Sequence, residues 1–198
     1  MIARVIALVV SLLLLGGVAR AEPSDAEAKA AGRQALIALR ILAYDKQLAE
    51  RCPGATVTIA LVSSPTPEGR AMRERFEAGL AMMPKAKVGG RAIKIVSFDA
   101  GPEKAISAAL AAKTPGAMLV VDDIGDKLVA LKTAARANQV LSISLRESDV
   151  ARGLSVGIIA ARERDQIVIN LEASKAEGAR FGAGLLQLAR LVTEVAHK

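Results

Sequence analysis

Carboxylates and hydroxyls are the only side chains in this sequence grouped closely enough to suggest chemistry. Asp122, Asp123 and Asp126 follow an apolar run from Ala117 to Val121, and carboxylates at the end of a buried strand are the donor type that Mg²⁺ or Ca²⁺ takes. With such a cation they could activate water for hydrolysis, given a third converging ligand. The same residues can instead cap the next helix, since Asp accepts its free N–H groups and suits its positive end. Ser63, Ser64 and Thr66 hold the matching place after an earlier apolar run, where hydroxyls and helix N–H groups could receive an anion. No glycine-rich phosphate loop accompanies them, and Ser63-Ser64-Pro65-Thr66-Pro67 also reads as a turn. Ser144 closes a third run and completes a candidate ligand loop of Ser63, Ser64, Thr66, Asp122, Asp123 and Ser144.

Other chemistry is excluded by counting. One cysteine, Cys52, and one histidine, His197, cannot supply a Cys/His metal cluster, an intrachain disulfide or a Ser-His-Asp triad. The 27 Lys and Arg exceed the 20 Asp and Glu, giving +7, yet the only aromatics are Tyr44, Phe76, Phe98 and Phe181. Base-stacking surfaces are nearly absent, so nucleic acid is not an expected partner. Seven basic residues against two acidic ones crowd the stretch Arg70 to Lys94, which suits an anionic partner or a solvated face. No cofactor is expected.

The first residues look like an address rather than structure. Arg4 gives a positive start, Val5 to Leu15 is apolar apart from Ser11, and Ala19-Arg20-Ala21 forms a small-x-small cleavage site. An apolar run of roughly eleven residues is short against the ~20 that span a bilayer. Residues 1–21 are therefore expected to be a cleaved signal peptide, with 22–198 a single domain in the periplasm or outside the cell.

Elements that would position the loop residues alternate along the mature chain. Ser24 or Asp25 caps a helix expected to run to about Arg51, where Cys52-Pro53-Gly54 stops it. Strands are expected at Thr56 to Val62, Ile93 to Phe98, Ala117 to Val121 and Val140 to Leu145, with helices between them. Leu154 to Ala161 and Gln166 to Leu171, joined by Arg162-Glu163-Arg164-Asp165, predict an antiparallel hairpin. From Gly184, the spacing of Leu185, Leu188, Ala189, Val192 and Val195 predicts a closing helix docked on the sheet. The expected fold is α/β and three-layered. A mixed, mostly parallel sheet of about six strands carries helices on both faces and ends in the hairpin and helix. Its core should include Ile59, Leu61, Ile95, Leu119, Val121, Ile143, Ile169, Leu188 and Val192. Asn170 can cap a short helix, and Gly178 and Gly182 can turn the chain between two. The first helix is apolar on nearly every side, so Leu36, Ile37, Ile41 or Tyr44 is expected to stay partly exposed as an interaction surface, for a homodimer or another partner.

Five stretches carry a family resemblance. Gly153 to Ile159, Ile167 to Phe181 and Leu185-Leu186-Gln187-Leu188-Ala189-Arg190 resemble the closing hairpin and helix of the YfiR-like family. Leu39 to Asp45 is similar to the first helix of one branch of it, and Lys87 to Val96 to its glycine-containing lead-in to the second strand. The resemblance implies a small periplasmic α/β regulator, often dimeric, that restrains an inner-membrane diguanylate cyclase by binding the enzyme's periplasmic part. It attaches no catalytic residues, and a single cysteine in place of the pairs some members carry gives no basis for redox control through an internal disulfide. A non-enzymatic regulator is the reading favoured here. The alternative is a ligand-binding module resembling half of a solute-binding protein, which requires a preformed cavity of at least about 300 Å³ near Ser63, Asp122 and Ser144.

Overall fold

The computed structural model describes residues 24–161 and 164–193. The expected signal peptide, His197 and Val195 lie outside them. Helix α1 (Asp25–Ala43) starts where Ser24 and Glu27 form a reciprocal capping box, Ser24 Oγ accepting the Glu27 N–H at 3.3 Å and the Glu27 carboxylate accepting the Ser24 N–H at 3.1 Å. The first helix was expected to reach Arg51, but it ends at Ala43. A turn follows, and a separate α2 (Leu48–Arg51) resumes beyond it. The break belongs to Asp45, whose buried carboxylate accepts the Gln47 N–H at 3.0 Å and so holds the chain out of helical register.

The alternating units then follow as β1 (Thr56–Ser63), α3 (Pro67–Ala81), β2 (Lys87–Val88), β3 (Arg91–Asp99), α4 (Glu103–Lys113), β4 (Ala117–Val120), α5 (Lys127–Ala137) and β5 (Leu141–Ser144). After them come α6 (Glu147–Ala151), β6 (Val156–Ile159), β7 (Gln166–Asn170), α7 (Leu171–Ala176), α8 (Ala183–Leu186) and β8 (Ala189–Val192). One eight-stranded sheet runs in the order β2-β3-β1-β4-β5-β6-β7-β8. It is parallel from β3 to β6, antiparallel at β2–β3 and β6–β7, and parallel again at β7–β8. The mixed α/β sheet and its hairpin are as expected, with β2 and β8 raising the strand count from about six to eight.

Alternation along the strands divides the core in two. Val57, Ile59 and Leu61 of β1 face α1 and α3, joined by Leu119, Ile143 and Ile169. Ala60, Val62, Met118 and Val120 face α4 and α5, whose Ile106, Leu110, Leu128 and Leu131 are buried. Ile95 is half-buried against the first of these cores. Helices α1 and α3 approach so closely that a Cβ on Gly79 would stand 2.5 Å from Ala28 O and 2.5 Å from Gly32 N. Both obstacles are backbone. Gly79→Ala is therefore expected to lose about 1–3 kcal/mol, measured as a lower urea midpoint with an unchanged m-value.

The closing helix is corrected. Only Ala183–Leu186 is helical, and Ala189–Val192 adds to β7 as a strand in register Ile167↔Ala189 and Ile169↔Leu191. A short apolar run suits helix or strand by spacing alone, and here the unpaired side of β7 supplies hydrogen-bond partners that a helix would leave unused. Leu188, expected in the core, is 69% exposed, and Val192 is only half-buried. Asn170 does cap α7, its side chain accepting the Ala173 N–H at 3.0 Å.

Candidate functional site

The sheet order creates one crevice. From β1 the chain crosses to β3 on one side and returns to β4 on the other, so the loops after β1 and β4 part at their carboxyl ends, the place where open α/β sheets bind ligands. The structure brings Ser63, Ser64, Thr66, Asp122, Asp123 and Ser144 to that end of the sheet, and each has a protein partner. Asp122 accepts the Ser64 N–H at 2.9 Å and the Ser64 hydroxyl at 2.5 Å. Thr66 caps α3 by accepting the Gly69 N–H at 3.1 Å. A Cβ on Gly69 would lie 2.6 Å from Asp122 Oδ2 and 2.3 Å from Ser64 Oγ, so the first turn of α3 packs directly onto this pair.

The flanking residues are also engaged. Ser63 Oγ accepts from Arg73, which forms an ion pair with Asp99 at 2.5 Å. Asp123 turns away from Asp122, accepting the Gly125 N–H at 3.0 Å and pairing with Arg146 at 2.7 Å. That hydrogen bond, and then the Arg146 charge, hold its carboxyl below the usual range. The Ser144 hydroxyl donates to Asp149 at 2.6 Å, and Ser144 Oγ accepts the Arg146 N–H at 3.1 Å. Burial pushes the Asp149 carboxyl up. Among the described residues no group of three or more His, Cys, Asp or Glu is placed to hold a metal ion. Asp122 and Asp123 diverge to separate partners, Ser64 and Arg146.

Tyr44, just past the end of α1, is 45% exposed, and Leu36 and Ile37 of α1 are half-buried beside a hollow of about 420 Å³. Ile41 is a correction. It is 1% exposed and faces the sheet, because the buried stripe of α1 runs through Ala38, Ile41 and Leu42. Cys52 is buried against Gly116, and burial raises its thiol pKa.

Two polar clusters had no sequence motif. The Glu177 carboxylate accepts the Ser142 N–H and hydroxyl, each at 2.7 Å, and the Ser155 hydroxyl. It fills the place beside β5 where β6 has not yet begun. Asp45 accepts from Arg51, from the Gln47 N–H and from the Arg180 N–H at 2.9 Å, while Arg51 reaches Gly116 O at 2.7 Å and Gln139 O at 2.9 Å. A Glu or Asp amid small residues gives no periodic signal, and only burial distinguishes these two. A groove of about 470 Å³ with apolar walls lies elsewhere, between α3 and β3.

The sequence model of the YfiR/HmsC-like family matches residues 33–190, so the chain belongs to that family. No curated protein matches it. Among solved structures, a conserved domain protein from Vibrio cholerae O1 biovar El Tor is similar at a TM-score of 0.57 and 16% identity, covering 81% of this chain and 59% of that one. An ABC domain in complex with L-Trp from Streptococcus pneumonia gives 0.52 at 11%, covering 77% and 62%. A ligand-free, open substrate binding protein with adhesive properties from Clostridium difficile gives 0.52 at 14%, covering 76% and 58%. The chain spans about three-fifths of each of these proteins, and at such identities the likeness shows the fold alone.

Proposed function

We propose that this member of the YfiR/HmsC-like family is a non-enzymatic periplasmic regulator that restrains an inner-membrane diguanylate cyclase by binding the enzyme's periplasmic part. Family membership supports the general role of a periplasmic regulator of cyclic-di-GMP signalling, and the match over residues 33–190 is the observation that carries the reading. No described helix is long and apolar enough to cross a membrane. Closure of the strand-end loops by Ser64, Asp122 and Gly69 gives the ligand-module reading no added support. Deleting the gene should raise cellular cyclic-di-GMP, and an exported copy should restore it where one lacking residues 1–21 does not. Unchanged cyclic-di-GMP on deletion would end the proposal. Mass spectrometry of the mature form tests cleavage after Ala21.

Leu36, Ile37 and Tyr44 form the surface we assign to the partner or to a homodimer. Tyr44→Asp places a charge where an apolar contact would close, so association is expected to weaken at least about tenfold. Sedimentation of the variant alone and co-purification with the cyclase give the readout. Because Tyr44 is exposed, its unfolding midpoint should hardly move.

A further inference from the structure

We propose that the groove between α3 and β3 takes an extended acidic segment of a partner protein, which joins the sheet as a strand on the open edge of β3. The inference rests on the reading of this chain as a partner-binding regulator. Strand β3 has nine residues, but its outer neighbour β2 has two and pairs only with Arg91 and Ala92. The Ala92 N–H donates to Ala55 O and the Ala100 N–H to Ser63 O, so the even-numbered residues of β3 direct their amides toward β1. The odd-numbered ones, Ile93, Ile95 and Ser97, direct theirs outward, where no strand lies among the described residues. An edge of this kind is a template for an added strand.

Beside that edge, Leu80 and Met83 of the α3 end, with Ile93 and Ile95, line the groove of about 470 Å³. Such a groove suits the inward-facing side chains of an alternating peptide. The charge at its rim is mainly positive. Lys85 and Lys87 line it and are exposed, and no ion pair engages them among the described residues. Glu77, the acidic residue of the lining, is held by the Ser97 hydroxyl at 2.5 Å. Edge lysines repel a basic strand and lose solvation against a neutral one, and they admit an acidic one.

The test uses the purified protein and an eight-residue acetylated peptide of alternating Val and Glu, with a Val and Lys peptide as control. The acidic peptide should bind at least tenfold tighter by fluorescence anisotropy at low salt. Its binding should slow hydrogen exchange at the amides of Ile93, Ile95 and Ser97. Ser97→Pro removes one outward N–H without breaking the ladder to β1 and should weaken binding at least tenfold. Lys85→Glu combined with Lys87→Glu leaves the backbone alone and should reverse the preference toward the basic peptide. Equal binding of both peptides, or binding without protection of those three amides, would overturn the proposal. So would protection that grows with protein concentration and no peptide, which would mean a second copy. A Ser97→Pro protein that has lost the peptide yet still lowers cyclic-di-GMP would remove the groove while leaving the regulator reading intact.

Discussion

Asp45→Ala is expected to destabilise the fold by about 3–5 kcal/mol, because it leaves the buried Arg51 guanidinium without its counter-charge. Both side chains of this pair are buried. Arg51 cannot withdraw to water without releasing Gly116 O and Gln139 O at the start of β4 and β5. Loss of Asp45 also frees the Gln47 and Arg180 N–H groups, and with them the tie between the α1–α2 turn and the segment around Phe181. Urea unfolding of the single variant and of Asp45→Ala with Arg51→Met separates the contributions. The double variant should recover a good part of the loss, since a packed apolar pair replaces a stranded charge. A single variant within 1 kcal/mol of the parent, on the order of an exposed ion pair, would show that this pair contributes as a surface bridge does.

Stability should also fall as pH rises through the mildly acidic range, and Glu177→Gln should remove the Glu177 share of that slope. Burial, opposed in part by the Ser155 and Ser142 hydrogen bonds, raises the Glu177 carboxyl from 4.5 to about 7. A carboxyl whose folded pKa is raised gives its full stability below about pH 4.5, where folded and unfolded chains are both protonated. As pH rises the unfolded chain gives up its proton first. Roughly 3 kcal/mol is therefore lost between about pH 4.5 and 7, levelling off above. The buried Asp149, also raised, tilts parent and variant alike, so the difference between their pH curves isolates Glu177. Thermal or urea unfolding at pH 4.5, 6 and 8 decides it. Parallel curves would show that Glu177 keeps its charge in the fold.

The candidate loop was legible as a place and illegible as a site. Apolar runs ending in Ser63, Val121 and Ser144 put the right residues at the carboxyl ends of three parallel strands, because strand direction in α/β units follows from chain order. Whether Asp122 faces outward for a ligand or inward for Ser64 depends on the distance between two loops 58 residues apart in sequence. That distance is fixed by the approach of α3, through Gly69. The interaction surface divided in the same way. A helix with apolar residues on nearly every side announces that something covers it, but the side chain that is already covered, Ile41, is chosen by how α1 lies on the sheet.

By itself the sequence determined the alternation of strands and helices, the capped start of α1 at Ser24 or Asp25, the antiparallel hairpin of β6 and β7, the cap at Asn170 and the family. These are local signals, written in periodicity, cap residues and turn chemistry within a few positions of one another. Tertiary structure alone decided the rest. It ended α1 at Ala43 through a carboxylate that reaches residue 180. It drew Ala189–Val192 into a strand because β7 had an edge to fill. It buried Glu177 beside a gap in the sheet and left the outer side of β3 open beyond Ala92. In each case the choice depended on hydrogen-bond groups that only distant segments could satisfy or leave free, and a buried backbone or carboxylate must be satisfied somewhere.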